Sequence, residues 1–145
     1  MVEFALILPI FIAVLFGIIE LGIMLNIYIG LTNSAREAAR AGSIFQVTTP
    51  LMTASDATAA DTQRLQYLSQ VITDTLNPSI DPVTELTVNV SYTPATPLAT
   101  NLYRSGDTLT VQLSHVHQLF FGMLGPKTIT IQASSAMRIE QGGTQ

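Results

Sequence analysis

The chain has 145 residues, of which 48% are hydrophobic and 11% are charged, less than half of the charged fraction of about 25% in a typical soluble domain. Its formal net charge of −4, with one lysine and five arginines, argues against nucleic-acid binding, which needs a basic surface. The absence of cysteine excludes disulfides, thiolate metal ligands and a cysteine nucleophile. The length excludes a large multidomain enzyme but suffices for one hydrophobic segment and a domain of roughly 100 residues.

The N-terminal segment supplies most of this hydrophobicity. Between Phe4 and Leu31 a single charged residue, Glu20, interrupts an apolar run, and about 20 apolar residues suffice for a helix that spans a bilayer. A cleaved secretory signal is disfavoured, because it has a basic beginning and a shorter apolar run, whereas this segment begins with Glu3. Two alternatives stay open: a permanent membrane anchor, and a helix that moves from the membrane into an assembly.

Glu20 is the unusual residue of this run. A carboxylate within a spanning helix costs on the order of a few kcal/mol, so such residues usually face a protein partner or a polar cavity. Glu20 therefore indicates a polar partner or a neutralised carboxyl group. The simpler alternative is a protonated acid near the edge of a tilted helix.

Motifs at both ends of the chain carry a resemblance to a known family. The N-terminal motifs are Met1–Pro9 (MVEFALILP), Phe16–Gly22 (FGIIELG) and Leu31–Gly42 (LTNSAREAARAG). They resemble the N-terminus of TadE-like proteins, which belong to the tight-adherence (Tad) branch of type IV pili. The C-terminal motif Ala133–Glu140 (ASSAMRIE) is similar to the end of many such proteins.

The resemblance implies maturation followed by assembly. In this family a prepilin peptidase removes a basic leader after a glycine, and the mature chain usually has glutamate at its fifth position. The glutamate that matches it here is Glu3, so either cleavage leaves a shorter mature end or two residues of the mature chain precede the given sequence. In a filament core Glu3 would pair with the α-ammonium group of a neighbouring subunit and favour the correct axial register, because a buried carboxylate is tolerable only when paired. We assign assembly and register to four residues of the helix: Glu3, Phe4, Pro9 and Glu20.

The orientation in the membrane depends on that leader. No lysine or arginine precedes the apolar run, whereas Arg36 and Arg40 follow it, so the positive-inside rule alone would leave the C-terminal part in the cytoplasm. The resemblance implies the opposite orientation, with the C-terminal domain outside, because the removed leader is basic.

Glycine and proline shape the predicted helix. Gly17, Gly22 and Gly30 each lower helix stability by about 1 kcal/mol relative to alanine, but they allow the backbones of neighbouring helices to approach closely. Pro9 removes a backbone donor and is expected to kink or loosen the helix, which would help the segment to leave the bilayer. Ordinary tolerance of proline in membrane helices is the equal alternative.

The helical pattern continues beyond the apolar run to Gly42, which offers a C-terminal stop. Asn33, Ser34 and Glu37 share a polar face with Arg36 and Arg40. We expect the two arginines to form a solvated or salt-bridged surface. Contact with a neighbouring subunit or with lipid phosphates is the alternative.

The remaining residues, 43–145, are predicted to form a head domain distinct from the assembly helix at 1–42. A loop from Ser43 to Ala60 leads to a helix at about 60–77, capped by Asp61 or Ser55. Its apolar residues recur at helical spacing and predict a packing face: Leu65, Leu68, Val71, Ile72 and Leu76.

Alternating segments at about 84–93, 107–118 and 127–140 predict antiparallel strands, each with one polar face. The fold class is therefore α+β: a long hydrophobic helix followed by a second helix and a three- to four-stranded antiparallel sheet, as in type IV pilins. Two loops separate the strands. Thr93–Asp107 is predicted to be a long exposed loop, because it contains two prolines and the turn signal Ser105–Asp107 (SGD). Leu119–Pro126 is apolar and contains Phe120 and Phe121, which form a subunit contact if exposed and close the core if buried.

Catalytic motifs are missing from the sequence. His115 and His117 share one face of a strand, but no third metal ligand is evident, so we expect no metal site. No phosphate-binding glycine loop, nucleophile elbow or HExxH motif occurs. We therefore expect neither enzymatic activity nor a cofactor.

The sequence and the resemblance together predict a structural pilin that polymerises through its N-terminal helix into an extracellular Tad or type IV-like pilus used in adhesion. Its partners would be itself or other pilins, the prepilin peptidase, and the cytoplasmic membrane before assembly. A shaft subunit and a minor pilin are both compatible with the pattern. The alternative is a permanently membrane-anchored accessory protein of the assembly machinery, which should tolerate the loss of Glu3.

Overall fold

The structure is a computed structural model and describes residues 2–45, 53–76, 80, 86–94, 104–119 and 127–140. Its helices and strands, in chain order, are α1 (Val2–Ser43), α2 (Ala54–Thr75), β1 (Leu86–Thr93), β2 (Thr108–Gln118) and β3 (Thr128–Arg138). The strands form one antiparallel sheet in the order β1-β2-β3. The predicted α+β class is confirmed, and the predicted strand ends agree with the structure to within about two residues, as boundaries usually do.

The helix α1 is continuous through Pro9 and has two different halves. From Ile27 onward one side is buried against β3, β2 and α2, and it consists largely of small residues that let these elements approach closely. Ser34, predicted on the polar face, is also fully buried, and its hydroxyl group donates to the Thr75 carbonyl oxygen at 3.0 Å. This bond satisfies one of the carbonyl groups left free at the end of α2.

Gly42 acts through packing rather than as a helix stop. The helix runs through it to Ser43. A Cβ atom at position 42 would collide with Leu109 Cδ2 and lie 2.9 Å from Leu68 Cδ2. The missing side chain therefore lets β2 and α2 close over the end of α1.

The helix α2 begins earlier than the sequence pattern predicts. Thr53, rather than Ser55 or Asp61, is its N-cap, and the cap forms a capping box with Asp56. Asp56 N donates to Thr53 Oγ1 at 3.2 Å, and Thr53 N donates to Asp56 Oδ2 at 3.0 Å. Such reciprocal bonds stabilise a helix start, so part of the expected loop is helical.

The buried face of α2 also differs from the predicted one. Leu68, Ile72 and Leu76 are buried as expected, but Leu65 is 41% exposed and Arg64 is buried in its place. The reason is an ion-pair cluster at this end of the helix, which the hydrophobic pattern does not reveal.

That cluster joins α2 to the turn before β2. Asp61 accepts from Arg64 Nη1 at 3.0 Å and from Arg104 Nε at 2.6 Å, and Arg104 Nη1 lies 3.4 Å from Asp107 Oδ2. The Arg104 guanidinium also stacks 4.1 Å from the centre of the Tyr92 ring. Two arginines and two aspartates balance in charge, as buried ionic groups require.

The sheet presents one side to the helices. Leu109, Val111 and Leu113 of β2 are completely buried there, and Leu86, Val90 and Tyr92 of β1 pack against the same core. Two apolar residues on the same side of the sheet, one in each edge strand, are more exposed: Val88 at 38% and Ile129 at 40%. The opposite side of the sheet faces outward.

We expect Gly42→Ala to destabilise the protein. Overpacking against Leu109 and Leu68 costs about 1–3 kcal/mol, more than the gain in helix propensity of at most about 1 kcal/mol. Gly22→Ala is the matched control, because nothing lies within 4 Å of a Cβ atom at position 22. Unfolding of the full chain in detergent, followed by circular dichroism, measures both variants, and a Gly42→Ala protein as stable as wild type would contradict the packing role.

Tyr92 is expected to make the folded protein less stable at alkaline pH. Burial raises the pKa of its phenol, and the Arg64 and Arg104 charges oppose this shift only in part. A raised folded-state pKa gives stabilisation that is complete below the unfolded value of about 10 and is lost as the pH rises through the folded value.

We therefore expect Tyr92→Phe to lose less stability than wild type between neutral pH and about pH 11. At neutral pH the substitution should be neutral or slightly stabilising, because no group in the described part of the chain meets hydrogen-bond geometry with the buried hydroxyl, and removing an unsatisfied polar group removes its desolvation cost. Denaturant unfolding at both pH values checks this, with Tyr67→Phe at an exposed position as the control. If wild type and Tyr92→Phe lose the same free energy of unfolding at alkaline pH, Tyr92 is not the cause of the loss.

Candidate assembly site on the N-terminal helix

The first half of α1 is an uncovered apolar surface. Large hydrophobic side chains from Phe4 to Leu25 are exposed on all sides of the helix, with Phe4 at 69% and Leu6 at 72%. Among the described side chains of residues 3–26, Glu20 alone is buried. A helix of this length extends about 35 Å at 1.5 Å per residue, comparable to the apolar thickness of a bilayer.

This surface does not belong to the core of the head. Leu6–Ser43 is long and apolar enough to cross a membrane, as judged from length and composition, and very little of its most apolar window is buried. A helix in a soluble core would be mostly covered, and soluble monomers rarely expose apolar patches of this size. The surface therefore requires lipid or other protein chains around it.

Glu20 meets a partner from its own chain. Its Oε1 lies 2.7 Å from Nε2 of His117, a residue 97 positions away near the end of β2. With the carboxylate ionised, the Nε2–H group donates and Oε1 accepts. Both side chains are largely buried, with 11% exposure for Glu20 and 16% for His117. Water cannot fully hydrate either group there, and the hydrogen bond between them compensates for the lost hydration.

The pair lies in a groove between the head and the bare half of α1, by which we mean residues 3–26. This groove has a volume of about 360 Å³. It is lined by Phe16, Ile19, Glu20, Ile23, His117 and Gln118. Because the lining is apolar apart from the Glu20–His117 pair and Gln118, a charge on either partner has little solvent to screen it.

His115 and His117 do not form a metal centre in the described residues. Their ring centres are 6.2 Å apart, but no cluster of three or more potential ligands occurs in the part of the chain that the structure describes. His115 is buried at 3% exposure, and His117 turns to Glu20 instead.

The other predicted site residues are distributed along the helix. Glu3, Phe4 and Pro9 are exposed at its beginning, and Glu3 lies about 25 Å from Glu20 along the axis at 1.5 Å per residue, so the two carboxylates form separate sites. Gly17 and Gly22 border open space, whereas Gly30 is partly buried.

The structure describes two of the four predicted subunit-contact residues. Arg36 is exposed, and Arg40 Nη2 pairs with Glu37 Oε1 at 2.7 Å on the surface. Phe120 and Phe121 lie outside the described residues. Sequence reasoning did not identify His117 as the partner of Glu20. The available signal was that both are ionisable residues within apolar segments, but nothing local links positions so far apart.

Residues 1–40 match the TadE-like protein family. The match covers the bare half of α1, the Glu20 position and Arg36, and it confirms the resemblance that the N-terminal motifs carry. No curated protein and no solved structure matches the chain. The TadE-like match and the uncovered apolar helix together indicate a membrane-anchored protein associated with a Tad pilus.

We expect the Glu20–His117 pair to couple the helix to the head. Glu20→Leu and His117→Leu each remove one side of this hydrogen bond in apolar surroundings, and each should lower the free energy of unfolding by on the order of 1–3 kcal/mol. The double variant should lose less than the sum, since neither group is left behind.

Chemical unfolding of the full chain in detergent measures all three variants. The exposed pair Glu37 and Arg40 supplies the control cycle, in which alanine substitutions should show little coupling because solvent screens the charges. Additive losses in the Glu20–His117 cycle would show that the contact carries no coupling energy.

Proposed function

We propose that this protein is a structural, non-catalytic pilin that polymerises through the bare half of α1 into an extracellular Tad or type IV-like pilus used in adhesion. The observation that carries the proposal is the apolar surface from Phe4 to Leu25, which the described part of the head leaves uncovered. Residues 1–42 would serve as the assembly helix and residues 43–145 as the head.

Transfer from membrane to filament would keep this surface in an apolar environment. Lipid tails would surround it before assembly and the helices of neighbouring subunits afterwards, so the large cost of exposing it to water is avoided in both states. Gly17 and Gly22 would permit close approach of neighbouring backbones, because both border open space in the single chain.

The two carboxylates of the helix would behave differently in this transfer. Glu20 already has His117 as a partner, so its burial by a neighbouring helix adds no unpaired charge. Glu3 is exposed at the beginning of α1 and would need a cation from another subunit when buried. The α-ammonium group produced by a prepilin peptidase would supply it and set the axial register.

The experiment is Glu3→Ala in the native host. We expect sheared surface filaments containing this chain to disappear, while the protein still accumulates in the cytoplasmic membrane, because an unpaired neighbouring charge disfavours the assembled state. Electron microscopy of the sheared fraction and mass spectrometry of its proteins, including the mature N-terminus, provide the measurement. Glu37→Ala, which removes a surface carboxylate from the same helix, is the control.

Each other outcome has a distinct meaning. If the chain dominates the filament mass in wild type, it is the shaft subunit, whereas trace amounts identify a minor pilin. If wild type occurs only in membranes and Glu3→Ala changes nothing, polymerisation is refuted and the permanently anchored accessory protein is the correct function.

A further inference from the structure

The outward side of the sheet is a second surface, separate from the assembly helix. Strand alternation and the unbroken register of β1 with β2 and of β2 with β3 place sixteen positions on it. All sixteen are exposed or partly exposed. We name this surface the outer sheet face; its residues are Thr87, Asn89, Ser91 and Thr93 of β1, Thr108, Thr110, Gln112, Ser114, Val116 and Gln118 of β2, and Thr128, Thr130, Gln132, Ser134, Ala136 and Arg138 of β3.

The composition of the outer sheet face is unusual for a solvated surface. Thirteen of its sixteen side chains end in a hydroxyl or an amide group, and only Arg138 is charged. An ordinary surface has about a quarter to a third charged residues. High strand propensity explains the threonines, but β1 and β3 are the edge strands of the sheet formed by the described residues, and edge strands usually need charged residues to prevent unwanted pairing.

The polar groups of this face are available to a ligand. Within the residues that the structure describes, its hydroxyl and amide side chains make no hydrogen bond to other protein groups. Along each strand these groups repeat about every 6.7 Å, and the strands are about 4.8 Å apart. With paired stretches of eight and eleven residues and no bulge, the face is a continuous strip that suits an extended polymer.

We propose that the outer sheet face binds neutral polysaccharide. A charged partner such as nucleic acid, an anionic lipid surface or an acidic polysaccharide needs several cations, and this face has Arg138 alone. A protein partner favours aromatic and other apolar groups at the interface centre, and here only Val116 and Ala136 are apolar. An uncharged chain rich in hydroxyl groups matches both the missing charge and the mixture of donors and acceptors.

Binding by one head is weak and becomes strong through repetition. Each hydrogen bond to sugar replaces one to water, so its net contribution is small. Many heads displayed together convert small contributions into firm attachment. The inference deepens the adhesive role proposed above and rests on it only for this repeated display, which proteoliposomes provide without polymerisation.

The test uses the full chain reconstituted at many copies in phosphatidylcholine liposomes, since detergents with sugar headgroups would compete. We expect retention on amorphous cellulose and on cross-linked dextran, little retention on alginate, little dependence on salt, and displacement by excess soluble dextran.

The matched variants make the same chemical change in two places. Gln112→Glu/Gln132→Glu places two charges on the outer sheet face, whereas Gln63→Glu/Gln70→Glu places two at exposed positions of α2. We expect the first pair to weaken retention about tenfold or more, because avidity multiplies the loss per head, and the second pair to bind as wild type does. Circular dichroism confirms equal folding.

Several results would overturn the inference: wild-type retention no greater than that of empty liposomes, equal retention on alginate, no displacement by soluble dextran, or equal behaviour of the two double variants. Self-association of proteoliposomes through this face without polysaccharide would identify a second copy as the occupant instead. None of these results bears on Glu3 or on filament assembly, so the two proposals fail separately.

Discussion

One continuous helix has to satisfy two environments, and the architecture of the chain follows from that constraint. One side of the second half of α1 is covered by the sheet and by α2, and that side consists largely of small residues that permit close packing. Apart from the contacts around Glu20, the described part of the chain leaves the first half exposed, so it needs lipid or protein around it. Glu20 lies near the boundary between the two halves, and His117 reaches it from the sheet.

Local pattern predicted the elements well because their signals are local. The long apolar run predicted α1, and alternation predicted three strands, of which the central one is buried on its inward side at Leu109, Val111 and Leu113. The predicted start of α2 was wrong, because Thr53 and Asp56 cap the helix earlier, within a segment whose composition is typical of a loop. The prediction that Leu65 belongs to the packing face was wrong, because helical spacing alone cannot show that Arg64 is buried there in an ion-pair cluster.

Long-range polar contacts could not be predicted from the sequence. The pair formed by Glu20 and His117 spans 97 residues, and the pair formed by Asp61 and Arg104 spans 43. Such contacts depend on how the chain is folded back on itself, and hydrophobic periodicity carries no information about that. The sequence indicated that Glu20 needs a partner or a neutralised carboxyl, because the energetic cost of a carboxylate in an apolar segment depends on the segment alone. The identity of the partner depends on the three-dimensional fold.

The strand β2 follows α1 over much of its length. Near one end Leu109 closes over Gly42, and near the other His117 meets Glu20. The helix and the strand between these points extend about 33 Å and 27 Å at their usual rise per residue. If the chain assembles into a filament as proposed, tension would not rotate the head about the helix, because the contacts at Gly42 and at Glu20 would both have to break. Pulling force would pass from the helix into the central strand, which is paired on both sides and has the most hydrogen bonds to share the load.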